Sequence, residues 1–480
     1  MWEPQTDLDA AAALGDVLRD VGYDDDAIEE LLGEDGIAAD LADSVPYALR
    51  LPDDELGDVM RLFLLNRPVG SARFAGAREA VRLGLVVESD GMLVPRARIV
   101  PTEGIYLTFD TFSRGEDDPE GWVASFSPTA YWLASITPRR RVERALDIGT
   151  GNGAHALLAA AHADRVIATD VNARALAFTE ISAALNGIDN VETRLGSFFD
   201  PVAGETFGLI TCNAPYVISP ERKWQYRDAG LPGDEVSRLV VTEAARHLDD
   251  GGFGAMLVSW LAEDEDAPDE HVHEWLEGSG CDAWILGLSG SDPIDHAAGW
   301  SEHLGTDPDA YAQTIDEWTR YFEGLGAEWI SEGGVVMHKR AGDHHIVRAD
   351  GIDEDELEFA SDQIERVFAA LEAIATEGLD ATLGRRMRLA AEARFDQELD
   401  RTGSVTSTVL VLDEGTCPDF EIDVETAEVL TALDGATTLD QAVQRVARRE
   451  ELSKRDAAEL RADVRRLARD LLENGVLELL

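Results

Sequence analysis

The stretch that decides the fold of this 480-residue chain is Ala145-Leu146-Asp147-Ile148-Gly149-Thr150-Gly151-Asn152-Gly153-Ala154-His155. A short apolar run ends in an acid, three glycines follow at every second position, and an Ala- and Leu-rich segment then favours a helix. A strand, a glycine-rich turn and a helix in this order allow a ligand to lie against backbone amides. The glycines leave space for that approach and permit positive φ. A dinucleotide fingerprint would be G-x-G-x-x-G, whereas the spacing here is G-x-G-x-G.

A second predicted strand, Arg165–Asp170, also ends in an acid. It ends about 20 residues past the glycine-rich turn, where a ribose-binding carboxylate is expected in a strand–turn–helix fold. Val171 and Asn172 follow it, and a helix is predicted from Ala173 to Leu185.

A third predicted strand, Phe207–Cys212, leads into a tetrad of residues, Asn213-Ala214-Pro215-Tyr216. The glycine-rich turn, the acid at position 170 and the tetrad each follow a strand. Their order and spacing are those of one site, so together they are far more specific than a lone glycine-rich turn.

The glycine pattern resembles motif I of the class I S-adenosylmethionine-dependent methyltransferases. The tetrad resembles the N-P-P-Y motif of methyltransferases that act on planar nitrogen, with Ala214 in place of the first proline. The resemblance covers about residues 115–340, and is strongest to HemK/PrmC-like glutamine methyltransferases and small-domain rRNA N-methyltransferases. It implies S-adenosyl-L-methionine as cofactor. No metal site is expected, because the pairs His271/His273 and His344/His345 are isolated from carboxylate or Cys partners in the sequence. The cofactor-binding residues that it implies are Asp147, Gly149, Thr150, Gly151, Gly153, Asp170, Val171, Asn172, Ser197, Phe198 and Asn213.

By this resemblance, the turn after the predicted strand Asn190–Leu195 lies along the adenine of the cofactor. Ser197 is then expected to hydrogen-bond the adenine amine, while Phe198 or Phe199 packs on the adenine ring. For each phenylalanine, packing into the protein core is an equally good expectation.

The tetrad is the predicted catalytic centre, with Asn213, Ala214, Pro215 and Tyr216 as its residues. An amide or exocyclic amine nitrogen is a poor nucleophile because its lone pair is delocalised. Hydrogen bonds from both of its hydrogens, to the Asn213 side-chain oxygen and the Ala214 carbonyl, would fix the nitrogen in place. Pro215 stiffens the turn, and Tyr216 is placed to stack on the planar group.

We expect an α/β chain with a Rossmann-like, seven-stranded class I methyltransferase domain between mostly helical, winged-helix-like modules. Pro220–Asp234 is the candidate substrate loop, and the helices predicted near 293–304 and 309–325 form a cap. A further helix is predicted over Leu379–Gln397. The predicted domains are residues 1–112 (N-terminal module), 113–341 (methyltransferase domain, with a helical insert at about 290–327), 342–405 (helical linker region) and 406–480 (small C-terminal module).

The formal net charge of −54 is the extreme feature of the composition. Acids are spread along the whole chain, which favours adaptation to high salt over a simple compositional bias. An acidic surface repels phosphate backbones, although winged-helix-like modules leave nucleic-acid binding possible. The three cysteines are far apart, and neither a signal peptide nor a membrane-spanning run is recognised, so we expect a cytoplasmic protein with no membrane partner.

Three functions agree with these features. The first is an N-methyltransferase acting on a protein Gln or Asn side chain, with a release factor or ribosomal protein as partner. The second is methylation of an rRNA, tRNA or DNA base at adenine N6 or guanine N2. The third is a non-catalytic adaptor that keeps the cofactor pocket. The charge favours the first.

Overall fold

The computed structural model describes most of the chain, and its contacts divide the chain into two units. Unit 1 comprises Met1–Leu133, Arg140–Ser279 and Ser289–Val335, and unit 2 comprises Ala134–Arg139, Gly280–Leu288 and Val336–Leu480. The described residues, apart from the side chains of Ser44 and His303, are 2–33, 44–111, 121–213, 215–220, 231–264, 267–304, 307–342, 345–352, 357, 359–403, 405–416 and 418–480.

The largest sheet has eight strands, which are β6 Val142–Ile148, β7 Ala163–Asp170, β8 Val191–Leu195, β9 Phe207–Cys212, β10 Leu248–Ala262, β11 Cys281–Ser291, β12 Trp329–Lys339 and β13 Val347–Gly351. Their order in the sheet is β13-β11-β12-β10-β9-β6-β7-β8. Strands β8, β7, β6, β9 and β10 pair in parallel with one another where they are neighbours. The associated helices are α6 Pro128–Ile136, α7 Ala154–Ala160, α8 Ala173–Leu185, α9 Glu235–His247 and α10 Glu270–Leu276.

The sheet has one strand more than the seven predicted. β13 pairs in parallel with β11, from Ala283 opposite Val347 to Gly287 opposite Gly351. This edge strand is short, and Arg348 and Asp350 interrupt its apolar pattern. Its place depends on tertiary contacts, including a hydrogen bond of 2.7 Å from Trp284 Nε1 to Asp350 Oδ2. An apolar pattern alone therefore does not predict it.

The N-terminal part of unit 1 consists of short helices followed by two small sheets. The sequence Ser89-Asp90-Gly91 predicts the turn of a hairpin after residue 84, and this is confirmed, because Asp90 and Gly91 both have positive φ (52° and 74°). Such a two-residue turn matches the right-handed twist of the paired strands. The elements are α1 Leu8–Val21, α2 Asp25–Leu32, α3 Ser44–Arg50, α4 Glu55–Val59, a π-helical turn Met60–Leu64, β1 Val69–Gly70, α5 Ala77–Arg82, β2 Val86–Ser89, β3 Met92–Pro95, β4 Ala97–Thr102 and β5 Ile105–Asp110.

Helix α1 packs closely against the C-terminal end of α8. A Cβ atom on Gly15 would lie 2.0 Å from the carbonyl oxygen of Leu185. The same carbonyl accepts a hydrogen bond of 2.8 Å from Arg19 Nη1. Because the backbones of α1 and α8 approach so closely at Gly15, only glycine fits at this position without displacing α8.

A buried ion pair connects β5 to the start of α8. Arg174 and Asp110 are 4% and 2% exposed, and two N–H groups of the guanidinium donate to both carboxylate oxygens, at 2.9 and 2.5 Å. The guanidinium also stacks on the Trp2 ring, 4.2 Å from its centroid, and donates to the Trp2 carbonyl. This bidentate geometry, with further donors satisfied, is the kind that retains a buried pair.

The two helices predicted near 293–304 and 309–325 are confirmed as α11 Pro293–Trp300, followed by a 3₁₀ turn Glu302–Leu304, and α12 Pro308–Leu325. Trp318 and Phe322 of α12 are 1% and 0% exposed and pack with Ile218 and Ile330 in an apolar core.

The C-terminal part of unit 2 has its own apolar core, to which α17 contributes Val464 and Leu471. Two three-stranded sheets, β18-β14-β19 and β15-β16-β17, accompany the helices. The elements are α13 Ser361–Glu377, α14 Leu379–Thr382, β14 Arg386–Leu389, β15 Ala393–Leu399, β16 Val405–Leu412, β17 Phe420–Ile422, α15 Val424–Thr431, β18 Asp434–Thr438, α16 Leu439–Arg449, α17 Lys454–Glu473 and β19 Leu477–Leu479.

The helix predicted over Leu379–Gln397 is wrong, because only α14 is helical there and β14 and β15 follow. The residues have good helix propensity, but β15 pairs with β16 over its whole length and Met387 of β14 is fully buried. Tertiary pairing therefore overrides local propensity. The four-part division of the chain into domains stays a prediction. Among the helices that the structure describes, none has the length and apolarity needed to cross a membrane.

We predict that Gly15→Ala lowers the free energy of unfolding by about 1–3 kcal/mol, because the new methyl group clashes with the Leu185 carbonyl. Gly324→Ala is the matched control. Gly324 also lies in a helix, and nothing lies within 4 Å of an added Cβ, so the change should stabilise the protein by up to about 1 kcal/mol. Calorimetric melting of both variants measures the difference. Equal stabilisation by the two changes would contradict the close packing of α1 on α8.

Candidate active site

The predicted site residues follow three strands that are neighbours in the sheet. In the parallel register, Ile148 at the end of β6 lies opposite both Thr169 of β7 and Cys212 of β9. The glycine-rich turn, Asp170 and Asn213 therefore meet at the carboxyl edge of the sheet. The chain runs from β6 outward through β7 and β8, then returns to the other side of β6 as β9. Ligands bind at such a switch point in open α/β sheets.

The turn after β6 needs glycine at each of its three glycine positions. Gly149, Gly151 and Gly153 have φ values of 66°, 57° and 89°. A Cβ on Gly153 would lie 2.9 Å from Thr179 Cγ2, so this glycine permits close packing on α8. An added Cβ on Gly151 would meet nothing closer than 3.9 Å. The backbone at Gly151 thus borders open space where a ligand has room.

Asp170 connects the glycine-rich turn to the loop after β7. Its Oδ2 accepts a hydrogen bond of 3.0 Å from Gly151 N, and its Oδ1 accepts one of 2.8 Å from Asn172 N. Loss of hydration raises the pKa of Asp170 above its ordinary value, and these backbone donors oppose that rise. Each carboxylate oxygen keeps further acceptor capacity for a ligand hydroxyl.

Asp147 and Thr150 have buried polar side-chain atoms at the glycine-rich turn. They are 1% and 6% exposed, and Thr211 Oγ1 donates to Asp147 Oδ1 at 2.9 Å. Burial raises the pKa of Asp147 to about 6, although the hydroxyl groups of Thr150 and Thr211 oppose this. By hydrogen-bond geometry, Asp147 Oδ2 and Thr150 Oγ1 have no partner among the described residues, although the Thr150 hydroxyl is near enough to the Asp147 carboxylate to lower its pKa. A buried polar atom without a partner is costly, so a bound group that supplies one would be stabilised here.

Asn172 and Val171 lie beside Asp170 in different environments. The Asn172 side chain caps α8 by accepting from Arg174 N at 3.0 Å, and its Nδ2 donates to the Gly121 carbonyl. Val171 is 49% exposed at the open edge of the sheet. Only Val171 of these two presents free apolar side-chain surface.

The two phenylalanines in the turn after β8 lie in different environments, although sequence patterns did not distinguish them. Phe199 is buried, and its ring centroid lies 4.7 Å from that of His247, so it belongs to the core. Phe198 is half-buried with a φ of 43°, and Ser197 is exposed. Gly196 N donates to the Asp170 carbonyl, which holds this turn beside Asp170.

The tetrad begins directly after β9. Asn213, Pro215 and Tyr216 are half-buried there. Ala214, and residues 221–230 of the candidate substrate loop, lie outside the described residues. Burial raises the pKa of Tyr216, the negative charge of Glu332 raises it further, and a hydrogen bond with Thr129 opposes the rise. The Tyr216 hydroxyl is therefore neutral at physiological pH.

Two further polar residues near the turn are not among those predicted. Asn152 is 7% exposed, accepts a hydrogen bond from Ala154 N at the start of α7 and donates from Nδ2 to the Ala124 carbonyl. Its bond to the backbone two residues further on is an Asx turn, a local pattern that asparagine favours in turns. His155 is buried beside Phe126, and burial lowers its pKa to about 4. No local pattern distinguishes this histidine.

Comparison with known proteins places these features in a family. Residues 140–277 match a family model described as a methyltransferase domain. A release factor glutamine methyltransferase from Xylella fastidiosa is 31% identical over 187 residues, which cover 36% of this chain and 67% of that protein. A ribosomal protein uL3 glutamine methyltransferase from Bradyrhizobium diazoefficiens is 30% identical over 169 residues, covering 32% of this chain and 52% of that protein.

Among solved structures, the ribosomal protein L11 methylase from Lactobacillus delbrueckii subsp. bulgaricus aligns with 45% of this chain and 81% of its own at 16% identity. The TM-score of 0.28 is too low to support a conclusion. The Xylella relative is 31% identical over 67% of its own length, and the methyltransferase-domain model matches residues 140–277 of this chain. These two similarities show the family of this chain. The chain therefore belongs to the family of class I S-adenosylmethionine-dependent methyltransferases that includes the release factor glutamine methyltransferases, and it is an enzyme of that class.

Proposed function

We propose that this protein methylates the side-chain amide nitrogen of a glutamine in a protein substrate. The main support for the proposal is the position of Asn213. This residue follows the carboxyl end of β9, the glycine-rich turn follows the neighbouring strand β6, and the switch point of the sheet lies between these two strands. The Xylella and Bradyrhizobium relatives are named for glutamine methylation of release factors and of ribosomal protein uL3, which supports an amide substrate of the same chemistry.

The residues at the carboxyl edge fit S-adenosyl-L-methionine. The unpartnered Asp147 Oδ2 and Thr150 Oγ1, and the open space at Gly151, are features that a bound polar ligand would use. Asp170 would accept hydrogen bonds from the ribose hydroxyls. Ser197 would bond the adenine amine, and Val171 and Phe198 would pack against the adenine ring. The remaining predicted contacts from Gly149, Gly153 and Asn172 complete the proposed binding set, whereas Asn213, predicted as a contact of both cofactor and substrate, would act mainly on the acceptor amide.

When bound, S-adenosyl-L-methionine supplies an electrophilic methyl group. The chain itself would hold the acceptor amide. The Asn213 side-chain oxygen and the carbonyl of residue 214 would accept hydrogen bonds from its two N–H groups. These bonds would hold the amide nitrogen in place and stabilise the positive charge that develops on it during methyl transfer. Pro215 would restrict the backbone of this loop, and the neutral Tyr216 ring would pack on the planar amide.

The distribution of charge supports a protein substrate over a nucleic acid. Four of the arginines of α17 do not form a free basic surface, because each of the four lies in an ion pair with a carboxylate. These pairs are Arg461 with Asp440, Arg465 with Asp380, Arg466 with Asp463 and Arg469 with Glu473. With a net charge of −54, the enzyme would repel phosphate backbones and attract a basic protein partner. We propose that the partner is of the release factor or ribosomal protein type.

We predict that Asp170→Ala weakens binding of S-adenosylhomocysteine by about 1–3 kcal/mol, or roughly 5- to 150-fold, because it removes a charged acceptor for the ribose hydroxyls. Isothermal titration calorimetry measures the change. Asp164→Ala is the matched control, since Asp164 lies near the opposite end of the same strand and only pairs with Arg141 at the surface. Wild-type affinity in Asp170→Ala would contradict the proposed pocket.

We predict that Asn213→Ala lowers turnover about 10²-fold or more while S-adenosylhomocysteine affinity stays close to wild type. The lost hydrogen bond acts on the acceptor nitrogen and matters mainly in the transition state. Transfer of labelled methyl groups to cell-extract protein measures turnover. Ala214→Pro is the neighbouring control and should remain active, because a residue before proline prefers an extended backbone. Methylation by Asn213→Ala at the wild-type rate would exclude the tetrad as the catalytic centre.

A further inference from the structure

An open cavity lies against the helical insert in unit 1, outside the cofactor site. Its volume is about 360 Å³, which is near the lower end of the range for ligand sites. The end of β11, helix α11 and the start of β12 form its walls. Gly299 leaves its rim open, since nothing lies within 4 Å of a Cβ added there.

One of the residues that line this cavity, His296, is uncharged and held in a fixed position. His296 is 5% exposed, and its Nε2–H donates to the Ile218 carbonyl oxygen at 3.3 Å. Burial lowers the pKa of His296 to about 4, so the imidazole carries no positive charge at neutral pH. Its ring packs edge-on against Phe322, with 5.5 Å between the ring centroids.

The cavity is also connected to the tetrad. Ile218, which His296 holds, lies two residues after Tyr216. Glu332 lines the cavity and is near enough to Tyr216 for its charge to act on the Tyr216 hydroxyl. A substrate whose amide lies at Asn213 could therefore place a neighbouring group in the cavity.

The chemistry of the walls selects a cation. Two carboxylates, from the exposed Asp295 and from Glu332, line the cavity together with the Trp300 indole. Among the described residues that line it, none is Lys or Arg. Carboxylates beside an aromatic ring bind a guanidinium by charge-assisted hydrogen bonds and by stacking, and arginine suits both better than lysine does.

We propose that this cavity binds an arginine side chain of the protein substrate, close in sequence to the glutamine that is methylated. The proposal rests on the proposed function, because it supposes a protein substrate at the tetrad. It adds a specificity site that the helical insert supplies, separate from the residues that hold the cofactor and the amide.

The test uses the full chain with S-adenosylhomocysteine in 1 M KCl, where salt screens long-range attraction to the acidic surface. The probes are eight glutamine peptides with arginine at each position within four residues of the glutamine, each paired with a peptide that carries uncharged citrulline instead. Fluorescence anisotropy gives the affinities. At one or more positions, we expect wild type to prefer arginine about tenfold, equivalent to about 1.4 kcal/mol.

Asp295→Asn and Trp300→Leu should each reduce this preference to about threefold or less, relative to citrulline. Asp295 is exposed, so its replacement tests the cavity even if the Trp300 variant folds poorly. Asp309→Asn is the matched control: it makes the same charge change at an exposed position of the insert outside the cavity, and should keep the preference.

Absence of any arginine preference in wild type, or its persistence in Asp295→Asn, would overturn the cavity proposal. Because binding is measured without methyl transfer, the two proposals fail separately. Methylation of glutamine peptides with no arginine preference would overturn the cavity alone. A preference that depends on Asp295, together with no methylation of any glutamine peptide or protein, would support the cavity and contradict the proposed function.

Discussion

The carboxylate of Asp170 is the interaction on which the candidate site depends. It accepts backbone hydrogen bonds from Gly151 on one side and from Asn172 on the other, and so ties together the loops that follow β6 and β7. The turn after β8 is joined to the same point, because Gly196 N donates to the Asp170 carbonyl. A charged acceptor held by two fixed donors has little freedom to move. The three loops are thereby pre-organised around the space that a ligand would occupy.

Residues in the N-terminal part of unit 1 hold both ends of helix α8, which follows the Asp170 loop. The buried pair of Arg174 and Asp110 fixes the first turn of α8, two residues after Asn172, while Gly15 and Arg19 of α1 hold its last turn at Leu185. Both ends of the helix that follows the ribose-side loop are thus constrained. We infer that these residues stabilise the geometry of the site in addition to any role in binding a partner.

Local patterns were sufficient to predict much of the fold and the position of the site. The glycine spacing, the acid after β7 and the tetrad each depend on a strand end, and parallel pairing necessarily brings such ends together. The Asp90-Gly91 hairpin likewise follows from turn chemistry. Tertiary packing decided what the sequence left open or misjudged. It placed Phe199 in the core against His247, and it made β14 and β15 strands in a segment of good helix formers.

The central claim is tested most directly by incubating the protein with methyl-labelled S-adenosylmethionine and an extract of the cells from which it comes. Samples are then digested with protease or with RNase, and the labelled residue is identified by mass spectrometry of the digestion products, without acid hydrolysis, which would cleave the side-chain amide. Our account predicts that protease, and not RNase, releases the label, and that the label is recovered as methylglutamine. Label released by RNase, or recovered in protein only on a residue other than glutamine, would contradict it.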